Sequence, residues 1–200
     1  MSINVCNNNS MSAITSLPSG VGGGSLNLIS TQTASDSANI TFSSNIDSTY
    51  DVYVFKFYDI HPETDDAKLM VNFRDGSTAY DAVKTTSYFE AIHDEADSST
   101  SLGYQTGLDI AQGTGFQTIL RFIGDDNDQS ASGIMRLYNP SSTTFVKHFV
   151  AVGSSVTGGD YANNHFIGGY INTTTAIDGV QFKFNSGNID SGRIALYGIK

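Results

Sequence analysis

Tyr50-Asp51-Val52-Tyr53-Val54-Phe55-Lys56-Phe57-Tyr58-Asp59-Ile60 is the stretch that decides the fold. β-Branched and aromatic side chains fill most of its positions, which suits a strand and not a helix. Tyr53, Phe55 and Phe57 fall on one side of such a strand, and Tyr50, Val52 and Val54 on the other. The same period of two recurs along the chain. Val180, Phe182 and Phe184 alternate with Gln181 and Lys183; Leu69, Val71 and Phe73 alternate with Asn72 and Arg74. Those strands are expected to bury one face and wet the other. In 145–152, Phe145, Phe149 and Ala151 oppose Val146, Val150 and Val152, while Lys147 and His148 need solvent or a partner. Strands that are apolar on both faces predict an outer face covered by a loop or by another subunit.

Working outward, short apolar runs separated by Gly, Asn, Asp or Ser predict strands over 25–31, 38–42, 50–60, 67–74, 86–92, 117–124, 132–138, 144–152, 164–171, 179–185 and 193–199. Regular spacing of this kind predicts an all-β sandwich or barrel. Composition agrees. Ser (25), Thr (19), Asn (15) and Gly (20) together make up 79 of 200 residues, at the expense of the usual helix formers. Near the C-terminus, Val180, Phe182 and Phe184 form an inward face. Ser186-Gly187-Asn188 turns the chain, and Ile194 and Leu196 return along a neighbouring strand. The chain divides near residue 25. Residues 1–24 are polar and end in Gly20-Val21-Gly22-Gly23-Gly24, so they read as an N-terminal arm preceding a sandwich over 25–200. Ile14, Leu17 and Val21 are the side chains in that arm able to anchor it on a partner.

The balance of 10 Lys plus Arg against 20 Asp plus Glu gives a net charge of −10. The first cation is Lys56. Nucleic acid is therefore not an expected partner, since phosphate binding needs clustered Lys and Arg. An anionic membrane surface is excluded on the same ground, and no run approaches the ~20 apolar residues of a spanning helix. No secretory leader is recognisable. The lone Cys6 allows no internal disulfide.

Candidate chemistry is sparse. The Gly-rich stretch at 20–24 neither follows a strand nor precedes a Lys-Ser/Thr pair, so it reads as a linker, not a phosphate loop. Asp126, Asp128 and Ser130 start with calcium-loop spacing, but Ala131 stands where Gly is needed and Leu137 where Glu is needed. The acidic run Asp125-Asp126-Asn127-Asp128 reads as a hairpin loop. His93-Asp94-Glu95 with Asp97, and His61 with Glu63, Asp65 and Asp66, read as surface turns. No metal and no other cofactor is expected. No Gly-x-Ser-x-Gly elbow is present, and no carboxylate pair is singled out, so no catalysis is expected. Tyr161-Ala162-Asn163-Asn164-His165-Phe166 is the best local candidate for a glycan-facing surface, through Tyr161, Asn163, Asn164 and His165.

Two blocks carry a resemblance. One is Ser48-Thr49-Tyr50-Asp51-Val52-Tyr53-Val54-Phe55-Lys56-Phe57, running into Ile60-His61-Pro62. The other joins Gly179-Val180-Gln181-Phe182-Lys183-Phe184, Ser186 to Gly192, and Ile194-Ala195-Leu196-Tyr197-Gly198-Ile199. They resemble structural proteins of tailed bacteriophages of the marine and cyanophage type, both tail-fibre-like and capsid-associated. The resemblance implies an antiparallel jelly-roll-like β-sandwich with no catalytic motif. It implies a virion location, synthesis in the host cytoplasm, and other capsid or tail proteins as partners. The absence of any fibre shaft favours a capsid decoration or short capsid-fibre subunit. The covered outer faces favour a homotrimer. The alternatives are a tail-fibre or receptor-binding module, and a carbohydrate-binding or depolymerase domain that meets a host-surface glycan.

Overall fold

The computed structural model describes residues 26–200. The proposed arm, with Ile14, Leu17 and Val21, lies outside the described residues. Among the described residues the chain is all-β, with twelve strands and no helix. They are β1 (Asn27–Thr33), β2 (Ile40–Phe42), β3 (Val52–Pro62), β4 (Ala67–Arg74), β5 (Lys84–Asp94), β6 (Thr100–Tyr104), β7 (Gln117–Ile123), β8 (Ala131–Tyr138), β9 (Lys147–Val156), β10 (Tyr161–Ile171), β11 (Gly179–Phe184) and β12 (Ile189–Ile199). Eight of them form one sheet in the order β1-β12-β3-β8-β9-β10-β5-β6. The other four form a second sheet, β2-β11-β4-β7. Every pairing is antiparallel.

The core lies between the two sheets. Phe55 and Phe57 of β3 meet Phe42 of β2 and Phe182 of β11 edge-on, with ring centroids 5.3–5.4 Å apart for Phe42–Phe55, Phe55–Phe182 and Phe57–Phe182. Phe73 of β4 packs on Phe149 of β9 at 5.0 Å. Each such side chain, fully buried, contributes roughly 1.5–3 kcal/mol relative to exposure. Gly153 lets its neighbours pack closely: a Cβ there would stand 2.5 Å from Leu120 Cδ2 of β7 and 2.9 Å from the Ser132 carbonyl oxygen of β8.

Each of the eleven expected strands has a counterpart, with ends moved by a few residues. The short strand β6 was not expected: Thr100-Ser101-Leu102-Gly103-Tyr104 has almost no inward face, and four of its five residues are exposed. Three expectations about connections and coverage need correction. First, β12 does not return beside β11 but crosses to the large sheet, where it lies between β1 and β3. Ile194 and Leu196 still point into the core, where they are fully buried. Second, the acidic loop at 125–128 joins β7 and β8 across the two sheets, so it is not a hairpin loop. Third, the outer face of β3 needs no other subunit at Val54. That residue is 1% exposed and lies between its cross-strand neighbours Tyr197 and Arg136. In the 144–152 stretch, Phe145 precedes the strand and is exposed, and β9 begins at Lys147. His148 reaches solvent. Lys147 is buried and donates to the carbonyls of Thr173 and Thr175 at 3.1 and 2.6 Å.

Candidate functional site

The large sheet has twice as many strands as the small one, so part of its inner face has no sheet above it. β7 is the edge of the small sheet and packs on β9 and β10. Beyond that edge, the inner faces of β10 and β5 change character residue by residue. In β5 the inward positions run Tyr88, Glu90, Ile92; in β10 they run Ile167, His165, Asn163, Tyr161. The polar members gather where the small sheet stops.

Glu90 is 3% exposed, and its carboxylate is clamped by Arg121 of β7. Arg121 Nε donates to Glu90 Oε2 at 2.7 Å, and Nη2 donates to Oε1. The pair ties the edge of the small sheet to the overhanging face of the large one. The guanidinium carbon of Arg121 also lies 4.3 Å from the ring centre of Phe122. Phe122 holds a left-handed backbone, φ 54°, which is strained for an aromatic residue, and its ring is partly exposed. Asn163 is wholly buried beside the pair. Its Nδ2 donates to Glu90 Oε2 at 3.4 Å, while its Oδ1 has no hydrogen-bond partner among the described residues. Above these groups is an open cavity of about 280 Å³. Ile92, Phe122, Thr157, Gly159 and Tyr161 complete its walls, and Asp66 stands at the rim.

Next to this pair runs a chain of buried polar groups that resembles a nucleophile relay. Ser155 Oγ is 3.0 Å from His165 Nε2, and His165 Nδ1 is 2.7 Å from the Tyr88 hydroxyl. The direction of the bonds removes that chemistry. Ser155 Oγ donates to the carbonyl of Arg121 at 3.1 Å, so it accepts from Nε2–H. Nδ1 then accepts from the Tyr88 hydroxyl, and the serine proton has no route to the imidazole. Burial, and then the charge of Arg121, lower the pKa of His165 to about 3, so the ring is neutral. Ser155 is itself buried and is not among the residues that line the cavity. This chain fastens β9, β10 and β5 together.

The four residues read as glycan-facing do not share one surface. Tyr161 and Asn163 both line the cavity. Asn164 points to the opposite, exposed face of the sheet. His165 spends both ring nitrogens on Tyr88 and Ser155 and is not among the residues that line the cavity. Alternation along β10 separates neighbours that sequence proximity had grouped. Glu90 and Arg121 were not singled out from the sequence. The available signal was a charge of each sign standing alone inside an apolar run, in Tyr88-Phe89-Glu90-Ala91-Ile92 and Ile119-Leu120-Arg121-Phe122-Ile123.

The acidic clusters are occupied by their own turns. Asp94 accepts from the backbone N–H groups of Ser98 and Ser99, and His93 pairs with Asp97 at 3.1 Å. His61 Nε2 lies 3.2 Å from the Asp126 carbonyl, and Glu63 accepts from the Asn188 N–H. Asp125, Asp126 and Asp128 are exposed. Among the described residues no group of three or more His, Cys, Asp or Glu side chains converges as metal ligands would. No family model, curated protein or solved structure matches the chain.

Proposed function

We propose that the chain is a non-enzymatic structural subunit of a bacteriophage virion, borne on the capsid surface as a decoration or short fibre. The observation that carries this reading is the order of the strands. β1, β2, β3, β4, β7, β8, β11 and β12 make an eight-strand frame, split between the sheets as β1-β12-β3-β8 and β2-β11-β4-β7. Numbered within the frame, the strands run 1-8-3-6 and 2-7-4-5, an order that supports a jelly-roll reading. Two inserted pairs, β5–β6 and β9–β10, widen the first sheet. Jelly rolls frame viral capsid domains, as they also frame lectins and cupins, and the resemblance of the two sequence blocks favours the first. The two blocks that resemble phage structural proteins supply frame strands β3, β11 and β12.

A homotrimer is part of the proposal. Its support is a row of apolar side chains across the outer face of the inserted strands and the adjoining β8: Tyr104, Phe89, Phe166, Val152 and Ile134, each opposite the next. Phe89 and Phe166 stack at 5.0 Å with their planes 9° apart, and Phe89 and Tyr104 are 43% and 52% exposed. A contiguous apolar row of this kind marks a contact surface. Quantitative mass spectrometry of gradient-purified particles tests the reading. A fixed copy number per particle is expected, and removal of the protein by washing would overturn it.

A further inference from the structure

We propose that the cavity over Asn163 is a binding site for one neutral pyranose ring, and that Asn163, Arg121 and Phe122 recognise it. The site stands whether or not the chain belongs to a virion. Asn163 sets the polarity. Its Nδ2 is committed to the Glu90 carboxylate, so the amide cannot turn over without setting its oxygen against that carboxylate. Oδ1 is therefore held as an acceptor, buried without a donor in a residue that lines the cavity. An unmet buried acceptor is costly, and a ligand hydroxyl relieves that cost. Arg121 supplies the complementary groups, because its two bonds to Glu90 leave further guanidinium N–H donors.

The charges select against an ionic ligand. Glu90 and Arg121 neutralise each other inside the site, and Asp66 at the rim repels acids. What remains is a small recess with an acceptor, donors and apolar walls at Phe122, Tyr161 and Ile92. A pyranose matches it: hydroxyl groups along the edge, and C–H groups on the face that lie against an aromatic ring. The volume of about 280 Å³ falls at the small end of ligand cavities and fits one ring, not a chain. Phe122 lines the cavity from a left-handed backbone, and strain of this sort gathers at ligand sites.

The test is a titration of the isotope-labelled full chain with neutral methyl pyranosides, followed by amide NMR shifts. N-Acetylneuraminic acid and glucuronic acid are the charged comparisons. For a ligand of about a dozen heavy atoms, a Kd on the order of 1–10 mM is expected. At least one neutral pyranoside should shift Ile92, Arg121, Phe122, Gly159 and Asn163 together. Asn163→Leu removes the acceptor, and Phe122→Asn removes the wall while tolerating a positive φ. Each should weaken binding at least about tenfold, a loss in the range of one hydrogen bond or one ring contact. Absence of shifts with every neutral pyranoside would overturn the proposal. So would unchanged binding in Phe122→Asn, which alters a partly exposed ring and keeps the fold testable, or a preference for the acidic sugars.

Discussion

Buried polar side chains decide how the interior of this domain responds to pH. His165 is neutral in the folded chain because burial holds its pKa near 3, against 6.5 for the free side chain. In the unfolded chain it takes up a proton as pH falls below 6.5. Its contribution to stability is thus complete above that value and is lost as pH drops towards 3. The slope in that window is at most about 1.4 kcal/mol per pH unit. His165→Gln keeps a donor and an acceptor for Tyr88 and Ser155 but cannot titrate. Denaturant melts at pH 7 and pH 4 should show a smaller loss in the variant than in the natural chain. An equal loss would place the acid sensitivity elsewhere. Lys84 acts in the opposite range. It is buried, donates to the carbonyls of Ala82 and Gly115, and burial lowers its pKa from 10.5 to about 8. The unfolded chain binds the extra proton between those values, so Lys84 makes stability rise with pH from about 8 to 10.5. Lys84→Met should flatten that rise.

At the scale of strands, the outer row from Tyr104 to Ile134 predicts how copies associate. Phe89→Ser together with Phe166→Ser should bring the mass by light scattering down to that of one chain. The variant should remain folded, because neither ring belongs to the buried core between the sheets. A mass that stays at three chains would remove this face from the contact. The strands themselves were legible because alternation survives in the core-facing ones: Tyr53, Phe55 and Phe57 are buried as the pattern requires. Their connections were not. Ser186-Gly187-Asn188, with Gly187 at φ 66°, looks like a hairpin turn, yet it carries the chain from one sheet to the other. A turn residue records a local reversal of the chain, and does not record whether the next strand pairs with the last one or lies opposite it. The site was half legible for the same reason. Tyr161 and Asn163 sit in one quoted segment, but Arg121 and Glu90 come to them from strands about 40 and about 70 residues away in sequence, through pairing and the overhang of one sheet past the other.

For the whole molecule, the division of labour is between a closed core and the surfaces it presents. Among the described residues the buried core runs from Ala34 to Leu196, with Ile29 packed against it. Removing residues 1–24 should therefore leave the melting temperature unchanged while weakening attachment to the particle. That attachment should survive raised salt, because no Lys or Arg precedes Lys56. Equal binding by the shortened chain would remove the anchoring role of Ile14, Leu17 and Val21. At net −10 the charges of two copies repel, so association of copies would have to rest on apolar contacts. Immunogold electron microscopy of intact particles, with an antibody to the 26–200 domain, tests the central claim most directly. The account predicts gold distributed over the capsid surface, with none along the tail. Gold confined to the tail tip would contradict the capsid role, and unlabelled particles beside abundant free protein would contradict the virion reading altogether.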